Sequence, residues 1–321
     1  MAPRKVGASR DAPTFFVSGS IRWGLCCQFL DSPIKFRSAT HRYCATLPGA
    51  ARSHYLSDVV LANAHSLVEA IERCSTLGIG AFRVTSQLLP LATHPISGYS
   101  IENLPDAQPI LDTLTSARDL AKAKDIRLSF HPDQFVVLNS ESEAVVESSL
   151  REMSHQGEIA KLIGAEALTL HAGGAVGGSK EALSRLAKSL DRLTPTAREL
   201  LALENDDRSF SPADLIPFCE NNGIPFVYDV HHHRCRKDDM TVAEASERGA
   251  ATWKGREPWM HISSPRDGWN SANPRSHADF IDPQDVPKEW IGKRMTVDVE
   301  AKSKERAVLA IIESTGKASR K

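Results

Sequence analysis

The residues of this chain that could do chemistry are imidazoles and carboxylates. His131, His171, Glu204, Asp229, His261 and Glu300, with one of the run His231, His232 and His233, each stand at or just past the end of a short apolar stretch. The segment "SHADFID" adds His277, Asp279 and Asp282 before the last such stretch. No serine or cysteine stands out as a nucleophile beside a base. Mixed imidazole and carboxylate donors suit zinc, manganese or iron, and a carboxylate can bridge two ions. Gathered in one place without counter-ions, these groups would be a costly desolvated charge cluster. Metal ions remove that cost, so the set predicts a metal centre.

Positioning such a set requires elements that end at one place. Eight short runs bounded by turn residues read as strands: "IRWGLCCQF", "AFRVTS", "RLSFHP", "ALTLHA", "LLALEND", "PFVYDVHH", "PWMHISS" and "RMTVDVEA". Between them lie amphipathic, helix-like segments at 56–77, 116–124, 142–162, 180–193, 212–222, 242–251 and 304–314. In "SFSPADLIPFCENNG", Ser211 is placed to cap, Pro212 to open the first turn and Gly223 to end the helix. Alternating strand and helix means α/β, and eight repeats close a parallel barrel. The expected fold is therefore a single (β/α)8 TIM barrel over residues 19–314, with flexible tails at 1–18 and 315–321. An open doubly wound sheet lacks the support of a GxGxxG motif.

Gln28, Ser86, His131, His171, Glu204, Asp229, His261 and Glu300 follow the last apolar residues of successive runs. Active sites of this fold gather at the carboxyl ends of the strands, so eight distant positions would converge on one mouth.

Composition agrees with a soluble globular protein: 321 residues, 41% hydrophobic and 25% charged. No apolar run is long enough for a membrane span. The six cysteines form no CxxC pair, which points to a reducing, intracellular compartment rather than a disulfide framework. A formal net charge of −1 argues against a surface that is basic throughout. It leaves room for a local nucleic-acid site, because metal charge is not in that sum.

Two loops on the same rim offer binding groups. "HAGGAVGGSKEAL" would leave backbone N–H groups before a helix to hold an anion. "HPDQFVVLN" sets Gln134 beside Phe135 just past His131, an amide and an aromatic of the kind that can replace a base. Arg266, Lys302 and Lys304 are candidate phosphate contacts.

The motifs "RWGLCCQF", "FRVTSQLLPLATHP", "SFHPDQFVVLNS", "LTLHAGG", "LALENDD", "FVYDVHHHRC", "HISSPRDGW", "HADFID" and "DVEAKSKERAVL", in this order, resemble the UV damage endonucleases, metal-dependent TIM-barrel enzymes of DNA excision repair. The resemblance runs from about Ile21 to Leu309. It implies a cluster of two or three divalent ions, manganese foremost, with zinc, cobalt or magnesium as alternatives. His131, His171 and Glu204 would surround one ion. Glu204 would bridge to a second, held also by Asp229, His261 and Glu300. His232 would hold a third with His277 and Asp279.

The implied reaction is a single-strand cut immediately 5′ to a photoproduct or other distortion, leaving a 3′-hydroxyl and a 5′-phosphate. Glu204, His232, Glu300 and Lys302 would carry the catalysis. Gln134, Phe135, His94, Gln28 and Arg266 would contact the damaged duplex. The resemblance further implies a monomer, cytoplasmic and nucleoid-associated. Some family members carry tyrosine at the positions of Leu25 and Phe135, and a carboxylatable lysine at that of Trp259, so lesion range is expected to differ.

Strand parity with Asp229 picks His231 as the ligand of the triple histidine, whereas the family spacing picks His232. The two agree only if the strand has ended by His231. The competing functions are a metal-dependent sugar isomerase or epimerase on the same barrel, and a lesion-binding protein without catalysis.

Overall fold

The structure, a computed structural model, describes residues 21–318. The 1–18 tail lies outside the described residues. Eight strands form a closed parallel barrel in sequence order: β1 (Ile21–Cys26), β2 (Ala81–Val84), β3 (Arg127–Phe130), β4 (Ala167–His171), β5 (Leu201–Glu204), β6 (Phe226–Asp229), β7 (Trp259–Ile262) and β8 (Met295–Val299). β8 pairs with β1 in the register Gly24↔Asp298, which completes the ring.

Ten α-helices accompany the described strands. They are α1 (His41–Cys44), α2 (Gly49–Leu77), α3 (Ala107–Ala123), α4 (Glu143–Ile163), α5 (Ser179–Leu190), α6 (Pro195–Leu200), α7 (Pro212–Asn222), α8 (Val230–Cys235), α9 (Val242–Ala251) and α10 (Lys304–Ala318). None is long and apolar enough to cross a membrane.

The large apolar core lies between barrel and helices, with Leu25, Phe82, Leu128, Phe130, Leu168, Phe226 and Val297 on its strand side. Residues of opposite parity point into the barrel. Ala81, Ala167, Ala202, Val227 and Trp259 belong to a second, smaller cluster of buried residues. The guanidinium of Arg127 sits 4.2 Å over the Trp259 ring. Arg127 also donates to Thr296 Oγ1 at 2.6 Å, and Arg22 to Glu257 at 3.0 Å, so the barrel floor is ion-paired.

Counting up by two from this floor gives Arg83, Thr169, Glu204, Asp229, His261 and Asp298, then His171 and Glu300. The period-two rule therefore carries polar groups to the mouth inside an apolar shell.

Several boundaries differ from the sequence expectation, each for a local reason. The first run ends at Cys26 rather than Phe29, because Cys27 takes φ 64° and Gln28 N–H bonds back to the Cys26 carbonyl, a γ-turn. The sixth ends at Asp229, not His232, because the Asp229 carboxylate caps α8. α2 starts seven residues before Leu56, at Gly49, and α3 starts at Ala107. The expected 180–193 helix stops at Leu190, and a separate α6 follows, capped by Thr194 with Pro195 in its first turn.

α7 has the expected ends. Asp214 reaches back to the Ser211 N–H, and Gly223 closes the helix at φ 62°. α10 continues through Ala318, so residues 315–318 are helical rather than part of a tail; Thr315 Oγ1 bonds the Ile311 carbonyl within it. Residues 319–321 lie outside the described part.

Candidate metal centre

Glu204, at the tip of β5 and fully buried, is the common partner of four imidazoles. His131 Nε2, from the end of β3, lies 2.9 Å from its Oε2, and His171 Nε2, closing β4, lies 3.8 Å from the same oxygen. His261 Nδ1, from β7, sits 2.9 Å from Oε1, and His232 Nδ1 3.4 Å from it. His261 Nδ1 also faces Glu300 Oε1 at 3.5 Å, while Asp229 adds a buried carboxylate from β6. Ligand-type atoms of two groups lie within 4.8 Å of one another: His131, His171 and Glu204; and Glu204, Asp229, His261 and Glu300.

The short helix α8 decides which way the three histidines point. Asp229 Oδ1 accepts the His232 backbone N–H at 2.7 Å, which turns the chain at the strand end and brings His232 to the mouth. His231 is buried instead beside Trp269 and His277, with ring centroids 5.2 Å away in each case. His233 is also buried, between Tyr228 Oη at 2.7 Å and Asp238 at 2.9 Å. A helical turn, unlike a strand, sends three successive side chains in three directions.

His277 rides on the β7–β8 loop, which is tied to the barrel by Ala278 N–H to the Ser264 carbonyl and Lys302 N–H to the Ala278 carbonyl. Asp285 anchors that loop by accepting from Trp269 Nε1 at 2.8 Å and from Arg234 and Ser264. His277 Nδ1 is 3.8 Å from Glu300 Oε2, and its ring centroid is 6.4 Å from that of His232. His232, His277, Asp279 and Asp282 all lie outside the two convergent groups; the two aspartates are exposed, and Asp282 caps the 3-10 turn Pro283–Asp285.

Three residues here escaped the sequence reading. Asn205 exchanges two hydrogen bonds with the Asp229 backbone, both at 2.9 Å, and locks β5 to β6. Arg83 donates to Glu300 Oε1 at 2.5 Å and lies 3.4 Å from Asp298, a third buried carboxylate. A charged residue inside a short strand carries no signal that distinguishes it from an exposed one.

The electrostatics follow from this crowding. Burial would push the Glu204 carboxyl up, but the imidazoles of His261, His171, His131 and His232 hold it well below the usual carboxylate range. Burial likewise raises Glu300, and Arg83 with His261 outweighs it and lowers the group. His171 is lowered by burial, with Glu204 opposing. His232 is lowered by burial but carried well above the ordinary imidazole value by Asp229 and Glu204.

Several polar atoms remain unmatched. Glu204 Oε1, Asp229 Oδ2, His261 Nδ1 and His171 Nδ1 are buried with no hydrogen-bond partner. His131 Nδ1 faces the Pro132 carbonyl at 3.1 Å while its Nε2 faces Glu204 Oε2. Carboxylate oxygens left without a hydrogen bond in a buried site are atoms that a bound cation would satisfy. The donor set, nitrogen and carboxylate oxygen at the ends of different strands, fits divalent transition ions.

Around this mouth the loops present the other candidate residues. Phe135 is 80% exposed, and Gln134 beside it is exposed too. Their loop is braced by Asp133, which accepts from Ser86 and Gln87 at 3.0 Å each. His94 Nδ1 accepts the backbone N–H groups of Ile96 and Ser97, so Nε2 carries the proton; its ring stacks 4.3 Å from His41. His94, Phe135, Leu89 and His155 line a cavity of about 400 Å³.

Lys302 and Lys304 line another cavity, of about 420 Å³, with Arg83, Cys26, His277 and Glu300. Gln28 is exposed beyond β1, and Arg266 is exposed and paired with Asp267 at 2.9 Å. In the glycine-rich loop, Gly173, Gly177 and Gly178 take positive φ, and Asn139 and Arg185 hold the loop carbonyls. Leu25 is fully buried in the outer core and Trp259 in the floor, so neither position presents a group to the mouth.

A model of the UV-endonuclease UvdE family matches residues 21–319. The UV DNA damage endonuclease of Deinococcus radiodurans is 34% identical over 301 residues, 90% of this chain and 93% of that protein. That of Bacillus velezensis is 29% identical over 299 residues, 89% and 90% of the two chains. The UV-damage endonuclease of Neurospora crassa is 31% identical over 80% of this chain and 41% of its own length.

Among solved structures, SacUVDE superposes with a TM-score of 0.82 at 25% identity, covering 94% of this chain and 99% of that one. Endonuclease IV of Thermus thermophilus superposes at 0.60 with 16% identity, covering 92% and 99%. An Escherichia coli 3-keto-D-glucoside 4-epimerase superposes at 0.56 with 11% identity, covering 93% and 100%. At such identities the last two share the fold alone, and the sequence relatives favour the nuclease over the epimerase reading.

Proposed function

This chain belongs to the UV-endonuclease UvdE family and is a DNA endonuclease, and we propose that it nicks damaged duplex DNA immediately 5′ to a UV photoproduct, leaving a 3′-hydroxyl and a 5′-phosphate. The observation that carries this reading is the set of buried, unmatched ligand atoms at the ends of β4 to β7, below a rim from which Phe135 projects. His131, His171 and Glu204 would hold one divalent ion, and Glu204, Asp229, His261 and Glu300 a second. His232 and His277 would hold a third, with manganese the ion of choice. Bound divalent ions supply an acidified water and neutralise charge on the departing oxygen.

The chain's own residues do the rest. Glu204 is shared between both ligand groups and fixes their separation. Asn205 and the Asp229 cap keep β6 and α8 in register, so that His232 meets the mouth at a set angle. Lys302 and Lys304 flank Glu300 and place positive charge where a phosphate of the cut strand would lie.

Gln134 and Phe135 would enter the gap left when lesion bases turn out of the helix. Unstacking is least costly at a damaged site, which is a source of lesion selectivity. Phe135 stacks without a hydroxyl, so it offers no hydrogen bond to the opposite strand. The partner is damaged duplex DNA, bound by a monomer, and the protein is nucleoid-associated in the cytoplasm.

An end-labelled duplex with one cyclobutane dimer tests the proposal. A single cut 5′ to the dimer, abolished by chelator and restored by Mn²⁺, is expected. Sugar epimerisation without nicking, or a cut at undamaged sites alone, would overturn it.

A further inference from the structure

Of the described phenylalanines only Phe135 and Phe280 are exposed; the others are buried or half-buried. Phe135 stands on the loop after β3, and Phe280, 47% exposed, on the loop after β7. Both loops leave the carboxyl ends of strands, so both rings belong to the mouth face. β3 and β7 are four places apart, the greatest separation in a ring of eight, and the candidate metal ligands lie between them. Phe280 is therefore the counterpart of Phe135 on the far wall, and the function proposed above gives it no task.

A mobile loop could fold such a ring away from water, but here the backbone is tied on both sides of it. Ala278 N–H donates to the Ser264 carbonyl at 2.8 Å, and the Ala278 and Asp279 carbonyls accept Lys302 N–H at 3.1 Å and Ser303 N–H at 3.0 Å. Beyond Phe280, Ile281 is buried and Asp282 N–H donates to Ser264 Oγ at 2.9 Å. A segment already fixed loses little further freedom on contact.

The surroundings suit a nucleic-acid strand. Exposed Lys302 lies alongside residue 278, and exposed Arg266 is joined through its N–H to the Ser276 carbonyl of the same loop. Leu30, 50% exposed, adds an apolar shoulder from the loop after β1, its N–H held at 2.8 Å by the Glu305 carboxylate at the start of α10. A single exposed apolar side chain is ordinary. An aromatic fixed beside cations at the mouth is the combination that strand-binding surfaces use.

The direction of the cut names the nucleotide, and this step rests on the reading that Phe135 enters the lesion gap with the cut 5′ to it. The cut phosphate then lies over the metal centre with the lesion on the Phe135 side, so the strand running on in the 5′ direction leaves across the opposite wall. We propose that Phe280 packs its ring against the sugar and base of the nucleotide on the 5′ side of the cut, while Lys302 meets an adjoining phosphate. That nucleotide is undamaged, so the contact adds affinity without lesion preference, in contrast to Phe135.

Anisotropy titrations in the Glu204→Gln background compare Phe280→Ala and Phe280→Tyr with their parent on three duplexes. These are a dimer duplex with full flanks, the same duplex undamaged, and a duplex that begins at the dimer with nothing 5′ to the cut. Phe280→Ala should bind the first two about tenfold more weakly and the third as the parent does. Phe280→Tyr should match the parent on all three.

Parent-like binding of Phe280→Ala to the full duplexes overturns the inference, as does an equal loss on the duplex without the 5′ flank. A loss confined to the dimer duplex would make Phe280 a lesion contact and overturns it too. Failure of the underlying reading appears separately, as a wild type that makes no cut 5′ to the dimer.

Discussion

The side chain of Asp229 caps the turn that carries His232, with Oδ1 accepting the His232 N–H at 2.7 Å. The aspartate is therefore both a candidate ligand and the reason the neighbouring histidine reaches the mouth. His232→Ala should lose a large part of metal binding and incision while folding normally. His233→Ala should bind Mn²⁺ as before but unfold at lower urea. It strands Tyr228 Oη and Asp238, and each unsatisfied buried group costs about 1–3 kcal/mol. Equal metal loss in both variants, read by calorimetry, would refute this division.

Glu204→Gln removes the one carboxylate shared by both ligand groups and keeps its volume. Incision of the dimer duplex should fall by more than the roughly 10–100-fold seen for outer partners of a ligand. Nicking with Mn²⁺ at the wild-type rate would show that Glu204 is not a bridging ligand.

Phe135→Ala should weaken binding to a dimer-containing duplex while leaving undamaged duplex unchanged. Stacking of an aromatic on a base contributes about 1–3 kcal/mol, so roughly tenfold or more is expected. Anisotropy titrations in a Glu204→Gln background, where no strand is cut, measure both substrates. Equal losses on the two would place Phe135 outside lesion recognition.

The metal-free protein should lose stability as pH falls below about 6.5. Burial holds the His155 imidazole below its ordinary value of about 6.5, against the opposing charge of Glu152. The unfolded chain then binds the extra proton first, so the contribution of neutral His155 is present above about 6.5 and lost as pH falls through the folded value. Asp238 and Glu257 follow at lower pH. Burial raises both carboxyls, but backbone N–H groups of Ala213 and Met240 hold Asp238 down, and Thr296 with Arg127 holds Glu257 down. Urea midpoints measured in chelator should drop in that order. His155→Gln should flatten the first part of the curve, and an unchanged slope there would remove His155 as its source.

The barrel and much of its rim could be read from the chain because each strand is a short apolar run that ends in a polar residue. The turn signals around Pro212 and Gly223 were equally readable. What could not be read depends on groups distant in sequence. Arg83 and Asp298 look like ordinary charged residues until the barrel closes and turns them inward. His232 was ambiguous because parity is a property of strands, and the chain had already become helical. Trp259 shares the inward face with His261, two residues below it, and its indole fills the floor.

Glu204 meets imidazoles from β3, β4, α8 and β7 at 2.9 to 3.8 Å. Those contacts span half the circumference of the ring, so the carboxylate acts as a hub whose spokes run to separate segments. Occupation of this centre by a cation would tighten the whole upper hoop at once, and amide exchange at the four spoke ends should slow together rather than one by one.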